Sequence, residues 1–388
     1  MVRAGARYAA RMREIYLDAN ASSPLRPEAR SAVLAALDLG PGNASSPHGA
    51  GRRLKKALGD ARDAVAALVG ARPGEVVFTS GATESNHLAI RGALDAAPGT
   101  LVTTRAEHAS VARLADRIEA SGAHVRRAGV DRWGRFDAGE IAHLAQGAAV
   151  AALTLAQSVT GAVEPVAEAA GRLRGCVLHV DAAQALGRIP VDVRTLGAST
   201  LALSGHKLGG PQGIGALVVR EGAAWRNPCG EAAQEFGMRA GTEAVALAAG
   251  FGAAAAVALA RGNEEQRRMA ELIAVAAAAV AAIPGYEILS PAAGSLPNTL
   301  LVAFAGCGGE AIMAALDARG VRVSTGSACA SGARVPAEVL LFGGRDRAAA
   351  ARAIRISASF RTDEDDILAL TGVLAGIVAR VRAAGPTS

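Results

Sequence analysis

Three lysines occur in the whole chain, and two of them, Lys55 and Lys56, sit side by side in a charged helical stretch. The third, Lys207, closes the run Ser204-Gly205-His206-Lys207 directly after the apolar Thr200–Leu203. Cationic duty elsewhere falls to arginine, so a lysine here suggests an amine that must lose its proton and form a Schiff base, which a guanidinium cannot do. A second apolar run, Val177–Val180, delivers the carboxylate of Asp181 at its C-terminal end, where open α/β sheets place their ligand sites. Taken singly, Asp181 reads equally as a helix N-cap before Ala182-Ala183-Gln184, and Lys207 as a surface charge. With Ser204, His206 and the neighbouring glycines they read together as a site for pyridoxal 5'-phosphate, whose ring nitrogen needs a carboxylate partner to stay protonated.

The other candidates stand at turns. Thr79-Ser80-Gly81-Ala82-Thr83-Glu84-Ser85-Asn86 leads from the strand Val76–Phe78 into a helix expected over His87–Ala96, and such a small-residue turn presents free N–H groups and hydroxyls to a phosphate. His108 follows the next strand, Thr100–Thr103, where a planar ring could cover a cofactor; His124, His143 and His179 read as structural. In the nine-residue stretch Ser324 to Gly332 the one thiol, Cys329, stands among small flexible residues, which suits a reactive nucleophile better than a packed core. Cys176, Cys229 and Cys307 read as core or near-core thiols. The loop Gly40 to His48, containing Asn43, has the composition of a functional loop.

These residues need a sheet to hold them. Short buried strands alternate with helices from 76 to 220, which predicts an α/β fold with a mixed, mostly parallel sheet, followed by a smaller C-terminal α+β domain. Residues 1–14 read as a frayed basic extension, 15–260 as the large domain with 15–30 as an arm able to pack on the small domain, and 261–388 as the small domain. Val163–Leu173 is expected to begin a helix, Trp225–Gly241 to be irregular and outside the core, and Glu243–Ala282 to be a long helical link. The net charge of +6 accompanies no aromatic-rich basic motif, so nucleic acid is not expected. The Ala-rich runs Ala244–Ala260 and Leu272–Ile283 read as buried helices rather than membrane spans. Four widely spaced cysteines argue against a zinc site and a disulfide framework and fit a reducing cytoplasm.

The segments YLDANASSP, FTSGATESNHLAI, EHAS, HVDAAQALGRIPVD, SGHKLGGPQGIGAL, RAGTE, STGSACASG and AIRISASF resemble, in order and spacing over about residues 15 to 370, the cysteine desulfurases of the class V aminotransferase group. The resemblance implies a fold-type I pyridoxal phosphate enzyme in which Lys207 carries the cofactor, Asp181 pairs with the ring nitrogen, Gln184 contacts the phenolic oxygen and His108 stacks on the ring. Ala82, Thr83, Ser204 and His206 would hold the phosphate, and Thr242 would reach the neighbouring subunit's site in a homodimer. Arg355 would hold the substrate carboxylate, with Asn43 as a further substrate contact. Lys207 would take the Cα proton of L-cysteine, and Cys329 would receive the sulfur as a persulfide, releasing alanine and passing sulfur to an acceptor such as an iron–sulfur assembly protein. No resident metal is implied, Cys329 being the residue that could transiently ligate an iron–sulfur cluster.

The sequence departs from the group's pattern at three places. Gln157-Ser158-Val159 stands where relatives have an Asn-Asn-Glu-like run, so Gln157 or Ser158 would make the cofactor contact. Cys229 to Glu235 is looser than Gly-Gly-Gln-Glu, and Pro336-Ala337-Glu338 replaces Pro-Ser-His. A selenocysteine lyase or aminotransferase of the same fold, and a docking scaffold without turnover, stay open as alternatives.

Overall fold

The computed structural model describes residues 14–230, 233–326 and 337–385. A short strand, β1 (Ile15–Tyr16), precedes α1 (Pro27–Leu37) and α2 (Gly49–Leu68). Strands and helices then alternate through β2 (Val76–Thr79), α3 (Ala82–Ala96), β3 (Thr100–Thr104), α4 (Ala109–Ala120), β4 (Val125–Ala128), α5 (Ala138–Leu144), β5 (Ala148–Thr154) and α6 (Val166–Arg172). Next come β6 (Val177–Asp181), β7 (Thr200–Ser204), β8 (Gly215–Val219) and the long α7 (Val245–Ala281). The C-terminal part contains β9 (Tyr286–Ile288), β10 (Thr299–Phe304), α8 (Gly309–Asp317), β11 (Val321–Arg322), α9 (Glu338–Phe342), α10 (Arg347–Ala350), β12 (Ala353–Ser357) and α11 (Glu364–Ala383).

Every residue of β2, β3, β6 and β7 is buried, as strands covered by helices on both faces must be. They belong to a seven-stranded sheet of order β2-β8-β7-β6-β5-β3-β4, in which β8 alone runs antiparallel to its neighbours. The parallel strands therefore end on one edge, and the segments after β2, β3, β5, β6 and β7 meet there.

A second core joins the three-stranded antiparallel sheet β12-β10-β9 to α7, α8 and α11. The start of the described chain belongs to this core: β1 pairs in parallel with β11, Ile15 against Val321, and Ile15 and Leu17 are buried in the cluster. The two Ala-rich runs form one helix, α7, which passes without interruption through residue 260. That helix is long and apolar enough to cross a membrane by length and composition, and half of its most apolar window is buried inside the protein. A Cβ at Gly252 would come within 2.5 Å of the Ala61 Cα in α2, so glycine there is what lets the two helices touch. Further on, Leu272, Ala276 and Val280 of the same helix enter the second core.

Four local expectations are corrected. The helix expected from His87 begins at Ala82, because Ser85 and Asn86, polar residues that read as turn, spend their side chains on tertiary hydrogen bonds to Thr79 and Asp181. The helix expected from Val163 begins at Val166: Val163 bridges to Ala156, and Pro165 disfavours helical geometry in the residue before it. Cys229 is exposed rather than near the core, since Asn227 Oδ1 accepts its N–H in a surface turn; Cys307 is buried and Cys176 is half-buried. The segment from Trp225 to Gly241 is not all surface either, because Trp225 Nε1 donates to Leu88 O and Glu235 is buried against Arg62.

Candidate active site

Asp181 ends β6 and is 5% exposed. Its Oδ1 accepts the Ala183 N–H at 3.0 Å, so it does cap the following turn, and its Oδ2 accepts from Asn86 Nδ2 at 2.7 Å. The same Asn86 amide donates to Ser110 Oγ at 2.9 Å, and Ser110 Oγ lies 2.8 Å from His108 Nδ1. Asn86 Oδ1 meets His179 Nε2 at 2.9 Å, and His179 Nδ1 meets Thr200 Oγ1 at 2.9 Å. Burial brings the pKa of His179 down to about 4, so it is neutral, with its proton on Nε2 facing the amide oxygen. One buried network thus fixes both the strand-end carboxylate and the ring of His108. That ring keeps an exposed edge, while the crowding of the cleft lowers its pKa and the nearby Asp181 carboxylate opposes the shift.

Lys207 follows β7 in a single helical turn, half-buried. Its Nζ donates to Asn20 O at 2.6 Å and Ala21 O at 2.9 Å, and Gln184 Nε2 donates to that same Asn20 carbonyl at 3.1 Å. Burial first, and then the guanidinium groups of Arg188 and Arg355, bring the lysine pKa down to about 7. An amine in that position is neutral over part of the physiological range. His206 turns its Nδ1 to Ser22 Oγ at 3.1 Å, and burial together with Lys207 and Arg188 lowers its pKa to about 4.

The turn after β2 closes the other side. Ala82 and Thr83 are the first two residues of α3, whose first-turn N–H groups have no partner within the helix. The turn lies against β8 at Gly215, where a Cβ would stand 2.5 Å from Leu203 O and 2.6 Å from Gly81 Cα. Ser204, paired with Gly215, brings the end of β7 to the same place. Glu84 folds back onto the Ser80 N–H at 2.6 Å and is held by Arg239.

Arg355, on β12, reaches in from the second core and is 5% exposed. Its Nη1 donates to Ser158 O at 3.0 Å and its Nη2 to Asp18 Oδ1 at 2.5 Å, while Nε is buried without an acceptor. Gln157 points away from this cluster: its Nε2 donates to Ala106 O at 2.9 Å and faces Glu164 Oε1 at 3.4 Å. Burial raises the Glu164 carboxyl to about 8.

The structure thus brings together Asp181, His108, Lys207, Gln184 and Arg355, with Ser204, His206, Ala82 and Thr83 beside them on the same sheet edge. Thr242 is exposed on this chain, and Asn43 spends its side-chain oxygen on the Ser45 N–H in its own turn. Cys329 lies outside the described residues. The described chain before that segment ends at Gly326, where a Cβ would stand 2.9 Å from Val159, and resumes at the buried Ala337.

Sequence reasoning missed Asn20, Asn86, His179, Arg188 and Asp18. Two of these carry a signal: Asn86 shares the face of Ala89, Ile90 and Ala93 at helical spacing, and His179 interrupts an apolar strand, so each is a polar side chain that needs a buried partner. Asn20 carries none, because its partners Ser158, Thr299 and Asn298 are far away in sequence.

The family model described as aminotransferase class-V matches residues 15–370. A cysteine desulfurase of Cereibacter sphaeroides is 41% identical over 383 residues, which cover 97% of this chain and 98% of that relative. Among solved structures, a NifS-like protein is similar with a TM-score of 0.87 at 27% identity, covering 95% of this chain and 100% of its own. A structure of SspA in complex with cysteine is similar with a TM-score of 0.78 at 27% identity, covering 88% of this chain and 98% of its own.

Proposed function

The chain belongs to the class-V aminotransferase family, and from that premise we propose that it is a cysteine desulfurase, moving sulfur from L-cysteine to Cys329 and releasing L-alanine. The observation that carries the reading is the meeting, at one sheet edge, of a lysine with a pKa near 7, a buried carboxylate locked by a neutral network, and an arginine with a spare donor.

The residues fit pyridoxal 5'-phosphate. Gly215 packs directly against the Gly81 backbone, with no room for a Cβ, and so sets the turn that leads into the first turn of α3, whose N–H groups have no partner within the helix. Ala82, Thr83, Ser204 and His206 would hold the phosphate there, joined by Thr242 of a second copy in a homodimer. Asp181 would keep the ring nitrogen protonated, Gln184 would face the phenolic oxygen and His108 would cover the ring. When bound, this cofactor supplies an electron sink for charge that develops at the substrate Cα.

The chain's own groups divide the remaining work. Arg355 fixes the substrate carboxylate with a bidentate fork. Lys207, whose amine is partly neutral near pH 7, accepts the Cα proton at Nζ. His108, whose lowered pKa keeps it neutral, can carry a proton between the substrate and solvent along its exposed edge. Cys329 attacks the substrate sulfur as a thiolate; the sulfur–Cβ bond breaks with its electron pair passing to Cβ, which takes up a proton on the way to alanine, and the sulfur stays on Cys329 as a persulfide for delivery to an iron–sulfur assembly protein or another sulfur acceptor. The cytoplasm, which keeps thiols reduced, suits this chemistry.

The test is to purify the protein, record absorbance near 420 nm, about where a pyridoxal Schiff base absorbs, and assay alanine and sulfide after adding L-cysteine. Both products from a yellow protein, and the loss of sulfur transfer in Cys329→Ala, are expected. Amino transfer to a keto acid without sulfide would overturn the reading in favour of an aminotransferase.

A further inference from the structure

We propose that Asp18 is a positioning residue that holds Arg355 ready and then yields it, so that amino acid binding exchanges one carboxylate for another. The inference rests on the reading of Arg355 as the partner of the substrate carboxylate.

Arg355 is already in an ion pair: its Nη2 donates to Asp18 Oδ1 at 2.5 Å, while Nη1 is committed to Ser158 O. The two partners differ in access to water. The Arg355 side chain is 6% exposed and that of Asp18 is 21% exposed, so the carboxylate has somewhere to go and the guanidinium does not. The Asp18 backbone is fixed: Asp18 bridges to Ser357, the Leu17 carbonyl accepts the Ser357 N–H at 2.8 Å, and Tyr16 Oη donates to Asp18 O at 3.1 Å. Release therefore needs only rotation of the Asp18 side chain.

The fork is also incomplete. Arg355 Nε is buried with no acceptor, and a buried donor left unpaired is costly, so the arginine is built for one more oxygen than Asp18 gives it. The surroundings tolerate a second carboxylate, because Arg188 and Lys207 lie close enough to Arg355 to feel its charge. Asp18 thus offsets part of the positive charge of the pocket between turnovers and competes with any incoming carboxylate. The consequence is a deliberately weakened affinity for amino acids, including the product.

The experiment compares the holoenzyme with Asp18→Asn, Asp18→Glu, Arg355→Gln and the Asp18→Asn/Arg355→Gln pair. L-alanine binding is measured by calorimetry, and KM and kcat for L-cysteine are measured separately. Asp18→Asn is expected to bind L-alanine roughly ten- to a hundredfold more tightly and to lower KM by a similar factor, about the worth of one charged hydrogen bond. Asp18→Glu, which keeps the charge, should stay near wild type, and Asp18→Asn should have no effect in the Arg355→Gln background. Unchanged or weaker L-alanine binding in a folded Asp18→Asn, while Arg355→Gln weakens it, would overturn the role of Asp18 alone. If Arg355→Gln leaves L-alanine binding untouched, the reading of Arg355 itself fails.

Discussion

The side-chain amide of Asn86 donates to Asp181 Oδ2 at 2.7 Å while its oxygen meets His179 Nε2 at 2.9 Å, so the strand-end carboxylate is held by a neutral chain anchored at Thr200. A neutral donor holds the Asp181 carboxylate in place without supplying a positive charge, which leaves that part to a cationic partner in the site. Asn86→Asp would set a second carboxylate against the first. It is expected to weaken cofactor retention by roughly ten- to a hundredfold, about the worth of a hydrogen bond to a charged group. Titration of the cofactor-free variant with pyridoxal phosphate, followed by absorbance, measures this.

Lys207 provides a pH readout. Its amine can react only when unprotonated, and burial with two neighbouring guanidinium groups brings its pKa down to about 7. The rate at which cofactor-free protein takes up pyridoxal phosphate should therefore rise through pH 7 and level off above it, well below the ordinary lysine range near 10.4. Lys207→Ala should show no yellow species at any pH.

Gly215 tests the phosphate cradle without touching a polar group. Gly215→Ala would drive a methyl group into Leu203 O and Gly81 Cα, both backbone atoms, at 2.5 and 2.6 Å. The turn before α3 must shift, at a cost of about 1–3 kcal/mol. Thermal melts with and without cofactor should show a larger loss in the loaded protein.

Glu164 carries a sign that can be checked. Burial raises its pKa from 4.5 to about 8, so between those values the folded protein holds a proton that the unfolded chain has lost. Its contribution to stability is intact below about pH 4.5 and falls as pH rises towards 8. Glu107, also raised by burial, has the same sign, whereas His179 and His206, lowered to about 4, add stability as pH rises from there to 6.5. Those groups titrate alike in wild type and in a Glu164 variant, so they cancel in the difference between the two. Glu164→Gln should melt roughly 2–5 °C above wild type at pH 8.5 and no higher than wild type at pH 5.

The alternation of buried strands with helices announces the central sheet, because parallel strands covered on both faces must be apolar throughout. Lys207 and Asp181 are legible for a related reason: each is a polar residue placed where an apolar run stops. What could not be read is what the chain assembles at long range. Asn20 looks like any turn residue, yet its carbonyl holds Lys207 and Gln184 and its side chain holds Ser158 and Thr299. Gln157 stands at the right place in sequence, but Ala106 O and Glu164 draw its amide aside, and nothing local to it reveals that. Helix α3 begins five residues before its apolar spacing shows, because Ser85 and Asn86 suit turns when their buried partners are unseen.

The pairing of β1 with β11 bears on how the protein is made. The carbonyls of Asn20 and Ala21 that receive Lys207 belong to a segment made well before Val321, Arg322 and Ser357, the residues that fix it. A chain leaving the ribosome can fold its central sheet and present Lys207 long before those late residues exist, since domains tend to form as units in order of synthesis. Until they arrive, neither the seat of the lysine nor the Asp18–Arg355 pair can form. Competence to trap the cofactor and recognise an amino acid is thus postponed until Ser357 has been made, well after the central sheet.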